Sequence, residues 1–203
     1  MKELKHYINE AFKINKNTKL ENRYKYFPET KEELKAIIEQ RIKSEGIECD
    51  LNDINVSKIT DMSRLFYRFN KFNGDISNWN VSNVTNMIGM FEDSIFNKDI
   101  SKWNVSNVTN MSYMFRDSNF NGDISEWDVS NVEYMDYMFF GSKFDGKNGD
   151  LSNWNVSNVT DMGCMFRHSI FNQDISNWDV SNVKNTHDMF YNCPIEENTN
   201  QKE

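Results

Sequence analysis

Apolar residues recur in this chain at a spacing of 24, and polar residues fill the gaps in the same order each time. Phe72, Phe96, Phe120, Phe144 and Phe171 open successive units, followed by Ile76, Ile100, Ile124, Leu151 and Ile175. All five tryptophans form the next column: Trp79, Trp103, Trp127, Trp154 and Trp178, with steps of 24, 24, 27 and 24. Two valine columns come after it, Val81 to Val180 and Val84 to Val183. Met-Phe pairs at 90–91, 114–115, 138–139, 165–166 and 189–190 close the set. A degenerate earlier unit begins near Ile54, with Val56, Ile59, Met62 and Leu65-Phe66 but no tryptophan. A period in the twenties predicts stacked coils, because one coil cannot bury its apolar side alone. The Trp, Phe and Met columns are therefore expected to be core.

Within a unit the spacing changes. Trp103 and Val105 are two apart, which predicts a short extended segment with one face buried. Met111, Met114 and Phe115 are spaced i, i+3, i+4, which predicts one turn of helix. Thr109 or Asn110 would cap that turn. The expected fold is thus an α/β repeat solenoid, with short strands and one helical turn in each ~24-residue coil, neighbouring strands pairing about 4.8 Å apart. The Asn83, Asn107, Asn131, Asn158 and Asn182 column is expected to form an amide ladder along the stack.

Both ends need covers. Thr30-Lys31-Glu32-Glu33 is a capping box leading into Leu34, Ile37, Ile38 and Ile42, with Gly46 as a stop. This predicts a helix over 29–45 that covers the first coil. An earlier helix would use Leu4, Ile8, Ala11 and Phe12, with a polar linker over Asn15 to Asn22. The chain so divides into a helical cap segment at 1–50, a solenoid of about five full coils and one degenerate coil at 51–193, and a polar, disordered tail at 194–203. The last coil has no helix beyond it, only Thr186 where a Met is expected. Self-association through this poorly capped coil is one expected outcome.

The 27-residue step comes from an insertion, Asp145-Gly146-Lys147-Asn148-Gly149-Asp150. Its Asp and Gly suggest a calcium loop, but Lys147 and Gly149 stand where oxygen ligands are needed and Asp150 where glycine is needed. A bulged surface turn fits better. The row Asp75, Asp99, Asp123, Asp150 and Asp174 could recruit cations, but a solvated or turn-capping row is the better reading.

Residues 1–50 carry 11 Lys and Arg against 10 Asp and Glu, and residues 51–203 carry 12 against 21. The acidic array disfavours nucleic acid and anionic membrane as partners. No stretch is long and apolar enough to span a bilayer, and no signal peptide is visible. Cys49, Cys164 and Cys193 give no disulfide framework. In repeat register His168 falls beside Cys193 and His187 beside Cys164. Two isolated Cys/His pairs make neither a four-ligand metal site nor a catalytic triad. No phosphate loop or dinucleotide fingerprint occurs. We expect no catalytic residues, no metal and no cofactor.

The run Phe-Asn-x-Asp-Ile-Ser-x-Trp-Asn/Asp-Val-Ser-Asn-Val-x-x-Met-x-x-Met-Phe, matched five times over 54–193, resembles the repeat of BspA-like bacterial leucine-rich-repeat surface proteins of the lipoprotein-associated type. The lead-in Tyr26-Phe27-Pro28-Glu29-Thr30 is similar to segments that precede such arrays. The resemblance implies a right-handed, leucine-rich-repeat-like solenoid and roles in cell-surface attachment or host-protein binding. It brings no catalytic motif. The expected function is a non-enzymatic protein-binding module at the cell surface. Without a visible export signal, an intracellular scaffold or regulator is the first alternative and an ion-binding array the second.

Overall fold

A computed structural model describes residues 23–195. The expected first helix, the linker before Arg23 and the tail beyond Ile195 lie outside these residues.

One complete α-helix lies among them, α1, Lys31–Glu45. Thr30 Oγ1 accepts from the Glu33 N–H at 3.2 Å, and Glu33 Oε2 accepts from the Glu29 N–H at 2.8 Å, so the free amides of the first turn are satisfied reciprocally. Gly46 ends the helix at φ +94, which a side chain would resist. Leu34, Ile37 and Ile38 are buried, as their spacing predicts. Arg41 is buried too, while Ile42 lies only partly inside. The Arg41 guanidinium bonds Asp53 Oδ1 at 2.6 Å and the Asp50 carbonyl at 2.9 Å, and it lies 5.3 Å from the Tyr26 ring centroid. Against the cost of burial, hydrogen bonds and charge attraction from Glu45 and Asp53 raise its pKa further. Lys31 Nζ reaches Asp61 and Ser63, tying the helix start to the first repeat.

The repeats stack in parallel, layer on layer, through single bridges: Asp61 to Asn86, Asn86 to Asn110, Asn110 to Tyr134, Tyr134 to Asp161 and Asp161 to Asn185. This overturns the expected α/β repeat solenoid of leucine-rich-repeat type. Among the described residues no strand forms, and no Met-Phe segment makes a helical turn; helix beyond α1 is seen only at residues 194–195. The hydrogen bonding of the Met-Phe segment gives the reason. Met111, Tyr113, Phe115 and Asp117 donate their amides to the next repeat, at the carbonyls of Tyr134, Asp136, Met138 and Phe140, 2.7–2.9 Å away. The alternate amides, of Met114, Arg116 and Ser118, close turns on Met111, Tyr113 and Phe115 at 3.1–3.2 Å. A helix would need every amide for its own i−4 carbonyl, and a strand would need every one for its neighbours. This backbone divides them, and a run of tight turns results.

Such turns need left-handed residues. Two columns supply them in every repeat. Arg64, Gly89, Tyr113, Tyr137, Cys164 and Asp188 form one, with φ between +53 and +62. Arg68, Asp93, Asp117, Gly141, His168 and Asn192 form the other, with φ between +52 and +61. The Trp–Val segment is turned as well. Trp103 N–H bonds the Ile100 carbonyl at 3.1 Å, Val108 N–H bonds that of Val105 at 2.8 Å, and Asn104 Oδ1 holds the Ser106 N–H at 3.1 Å. Asn and Asp side chains here outcompete a ladder for the backbone donors.

The apolar columns are core throughout. Trp79, Trp103, Trp127, Trp154 and Trp178 are 3–7% exposed, and each indole N–H reaches a carbonyl of the preceding repeat at 2.9–3.2 Å. Phe91, Phe115, Phe139 and Phe166 stack 5.5–5.7 Å apart. The expected asparagine column does not make an amide-to-amide ladder. Asn83, Asn107, Asn131, Asn158 and Asn182 each donate to a serine carbonyl one repeat back, at 2.7–2.8 Å.

Candidate interaction face

Most polar columns are spent on holding the stack. Asp75, Asp99, Asp123, Asp150 and Asp174 each use Oδ1 to accept the amide of the serine two residues on, at 2.8–2.9 Å. Bonds from Ser101 hold the Asp99 carboxyl below its usual range, and those from Ser130 do the same for Asp128. Asn110, proposed above as a helix cap, caps a turn by accepting the Ser112 N–H at 2.9 Å, whereas Thr109 Oγ1 bonds the Thr85 carbonyl at 3.3 Å. The 145–150 insertion is a closed turn. Asp145 Oδ1 accepts the Lys147 N–H at 3.0 Å, Gln173 Nε2 donates to the Gly146 carbonyl at 2.6 Å, and the Leu151 N–H reaches Gln173 Oε1 at 3.2 Å. Among the described residues no group of three or more His, Cys, Asp or Glu stands close enough to hold a metal ion.

The structure does not join the two Cys/His pairs into sites. Cys164 Sγ contacts the backbone carbonyl of His187 at 3.6 Å. Cys193 Sγ donates to the Phe171 carbonyl at 3.2 Å and lies against Ser169 in the core. His168 Nδ1 meets the Asn192 amide at 2.9 Å instead. All three cysteines are buried and unpaired with one another.

What remains is the outer side of the turn segments. Met62, Leu65 and Phe66 and their equivalents point inward, and the positions at 63, 64, 67 and 68 and their counterparts lie on the other side of the turns, exposed or half-buried in most layers, with Glu92, Ser112 and Cys164 buried among them. These four adjoining columns differ from layer to layer. The 67 column, for example, reads Tyr67, Glu92, Arg116, Phe140, Arg167, Tyr191. Tyr, Phe and Arg are concentrated there.

The face is ordered by its own contacts. Tyr113 and Tyr137 stack at 4.8 Å. The Arg116 guanidinium lies 5.3–6.0 Å from the ring centroids of Tyr113, Tyr137 and Phe140. Its Nη1 also meets Glu92 Oε1 at 3.2 Å. Glu92 is buried between Arg116 and Arg64, next to Gly89, where a Cβ would approach Glu92 Oε2 to 2.9 Å. Glycine there leaves room for the carboxylate and takes φ +57 without strain. The aromatic strip continues as Phe140, His168 and Tyr191, with the imidazole edge-on to both rings at 5.5 Å. Arg167 lies 4.6 Å from the Tyr191 ring centroid and pairs with Asp188. Burial raises the Tyr113 phenol. Burial also raises the Asp136 carboxyl, against a bond from Ser112 Oγ.

These arginines and rings were not singled out from the sequence. Their signal was present as the columns that fail to repeat, but the side they point to depends on turns that spacing alone did not reveal.

The chain is thus a tandem-repeat stack with one variable aromatic and arginine-rich face. A family model described as "Mycoplasma protein of unknown function, DUF285" matches residues 33–147 and again residues 118–202. The chain belongs to this family, and the match is consistent with BspA-like surface repeats. No curated protein and no solved structure matches it. Among the described residues no helix is long and apolar enough to cross a membrane.

Proposed function

We propose that this chain is a non-enzymatic protein-binding module of the bacterial surface-repeat kind, and that its partner docks on the turn face. One observation carries the reading: four adjoining columns on the turn side vary from repeat to repeat and gather Tyr, Phe and Arg, while the apolar core columns stay nearly constant. A scaffold needs identical layers, whereas recognition of an irregular partner needs differing ones. The residues in these columns suit the role. Tyr and Arg dominate the energetic centres of protein interfaces, and Tyr gives contact area at low conformational cost. Rings held by stacking and by Arg116 are partly pre-ordered, which lowers the entropy lost on binding. The acidic balance beyond residue 50 favours a neutral or basic protein surface.

Protease shaving of intact native cells, followed by immunoblotting, tests the surface setting. Loss of the band with an internal control preserved is expected. A protected band overturns that setting and favours an intracellular scaffold built on the same face. The docking face is tested by replacing Tyr137, Phe140 and Tyr191 with serine together. Retention of any partner by that variant at wild-type strength overturns the assignment.

A further inference from the structure

The terminal repeat, 171–194, is followed among the described residues only by Ile195, where the backbone turns helical, and no further layer covers it there. Val81, Val105, Val129 and Val156 are 1% exposed, whereas Val180 in the same column is 48% exposed. Ile175, Val183 and Phe190 are only partly buried, where their equivalents in the inner layers are fully buried. The backbone edge is open too. The Thr186, Asp188 and Phe190 amides stand in columns that elsewhere donate to the next repeat, and among the described residues they have no acceptor. The Lys184 carbonyl, in the row where Thr85 accepts from Thr109, has no donor there. The other end of the stack is covered. Helix α1 buries Leu34, Ile37 and Ile38 in the core, and Tyr26 bridges to Ile54.

We propose that this terminal face binds the same face of a second copy of the chain, making a closed tail-to-tail dimer. Three observations favour that occupant. With α1 on the first repeat, a head-to-tail stack is blocked, so a pairing of two copies must be isologous. The edge is complementary to itself about a two-fold axis at Asn185. The carbonyl of Lys184 and the amide of Thr186 flank that residue, and antiparallel approach sets each opposite the other's partner, as around a non-hydrogen-bonded pair in a sheet. The face also has an apolar centre, where Val180 is exposed beside the half-buried Ile175, Val183 and Phe190. This dimer leaves the turn face free and is independent of what binds there.

Sedimentation equilibrium of the full chain over a range of concentrations tests the proposal. The wild type should reach twice the chain mass. Val180→Lys puts a charge in the centre of the contact at an already exposed position, and it should weaken association by about tenfold or more. Ile170→Lys, equally exposed at 49% but on the flank of the stack, should associate like the wild type. A wild type that stays at single-chain mass throughout overturns the proposal. So does a Val180→Lys chain that dimerises as tightly as the wild type, or an Ile170→Lys chain weakened as much as Val180→Lys.

Discussion

Asp117 lies in a segment whose apolar spacing reads as helix and whose backbone is a left-handed turn, φ +52. Replacing it with alanine and with glycine separates the two conformations by sign. Both variants lose the same contact, Asp117 Oδ2 to Arg116 Nε at 3.3 Å, so the difference between them reports on the backbone. In a helix, alanine would be the more stable by about 0.8–1.0 kcal/mol. In the left-handed region a Cβ costs about 1–2 kcal/mol. Glycine escapes that cost but gives back about 0.4–1 kcal/mol through the freedom of its unfolded chain. The turn therefore favours glycine by about 0.5–1 kcal/mol, and the two conformations differ by roughly 1.5–2 kcal/mol in what they predict. Urea unfolding followed by tryptophan fluorescence resolves this, because the indoles lie in the core of the stack. Asp93, at φ +54 in the same column, gives an independent repeat of the comparison. An alanine variant more stable than the glycine variant at both positions would refute the turn assignment.

Other perturbations address other parts of the structure. Trp127→Ala removes a ring 3% exposed and should cost about 3–5 kcal/mol in the same unfolding assay. Trp127→Phe keeps an aromatic ring but leaves the Ile100 carbonyl without its 3.1 Å indole donor, for a loss of about 1–3 kcal/mol; unchanged stability in both would show that the column is not core. Thr30→Ala should destabilise by about 1 kcal/mol through loss of the α1 cap and speed hydrogen exchange at the Glu33 amide. Burial raises the Asp136 carboxyl, so its charged form opposes folding, and stability is lost as pH rises through its folded pKa. Asp136→Asn should therefore raise the melting temperature at pH 7 and lose that advantage below about pH 4, where the unfolded carboxyl is protonated as well; an equal gain at both pH values would rule out this cause.

Much of the architecture was legible in the chain. The 24-residue columns identify the stack, its core and the insertion at 145–150, and the Thr30 to Glu33 box identifies α1. The local conformation was not legible, because Met111, Met114 and Phe115 face one side equally well in a helical turn or in a run of tight turns. Only the allocation of amides decides between them, and that depends on the neighbouring repeat. Tyr113 and Asp117 gave no warning of positive φ, and in their two columns only Gly89 and Gly141 hint at it. Arg41 was hidden on the apolar side of α1 because its partners, Asp50 and Asp53, come from the segment that leads into the first repeat. The turn face was legible as variation and illegible as a surface, since its outward direction follows from the same turns.

Site-specific photo-crosslinking in native cells tests the binding face most directly. A benzophenone side chain is placed at Phe140 on the turn face in one strain, and at exposed Lys102, away from it, in another. A discrete protein adduct formed from position 140 and absent from position 102 is the expected result. Adducts of equal yield from both positions, or none from position 140 in cells that express the folded protein, would contradict a role for this face in recognition.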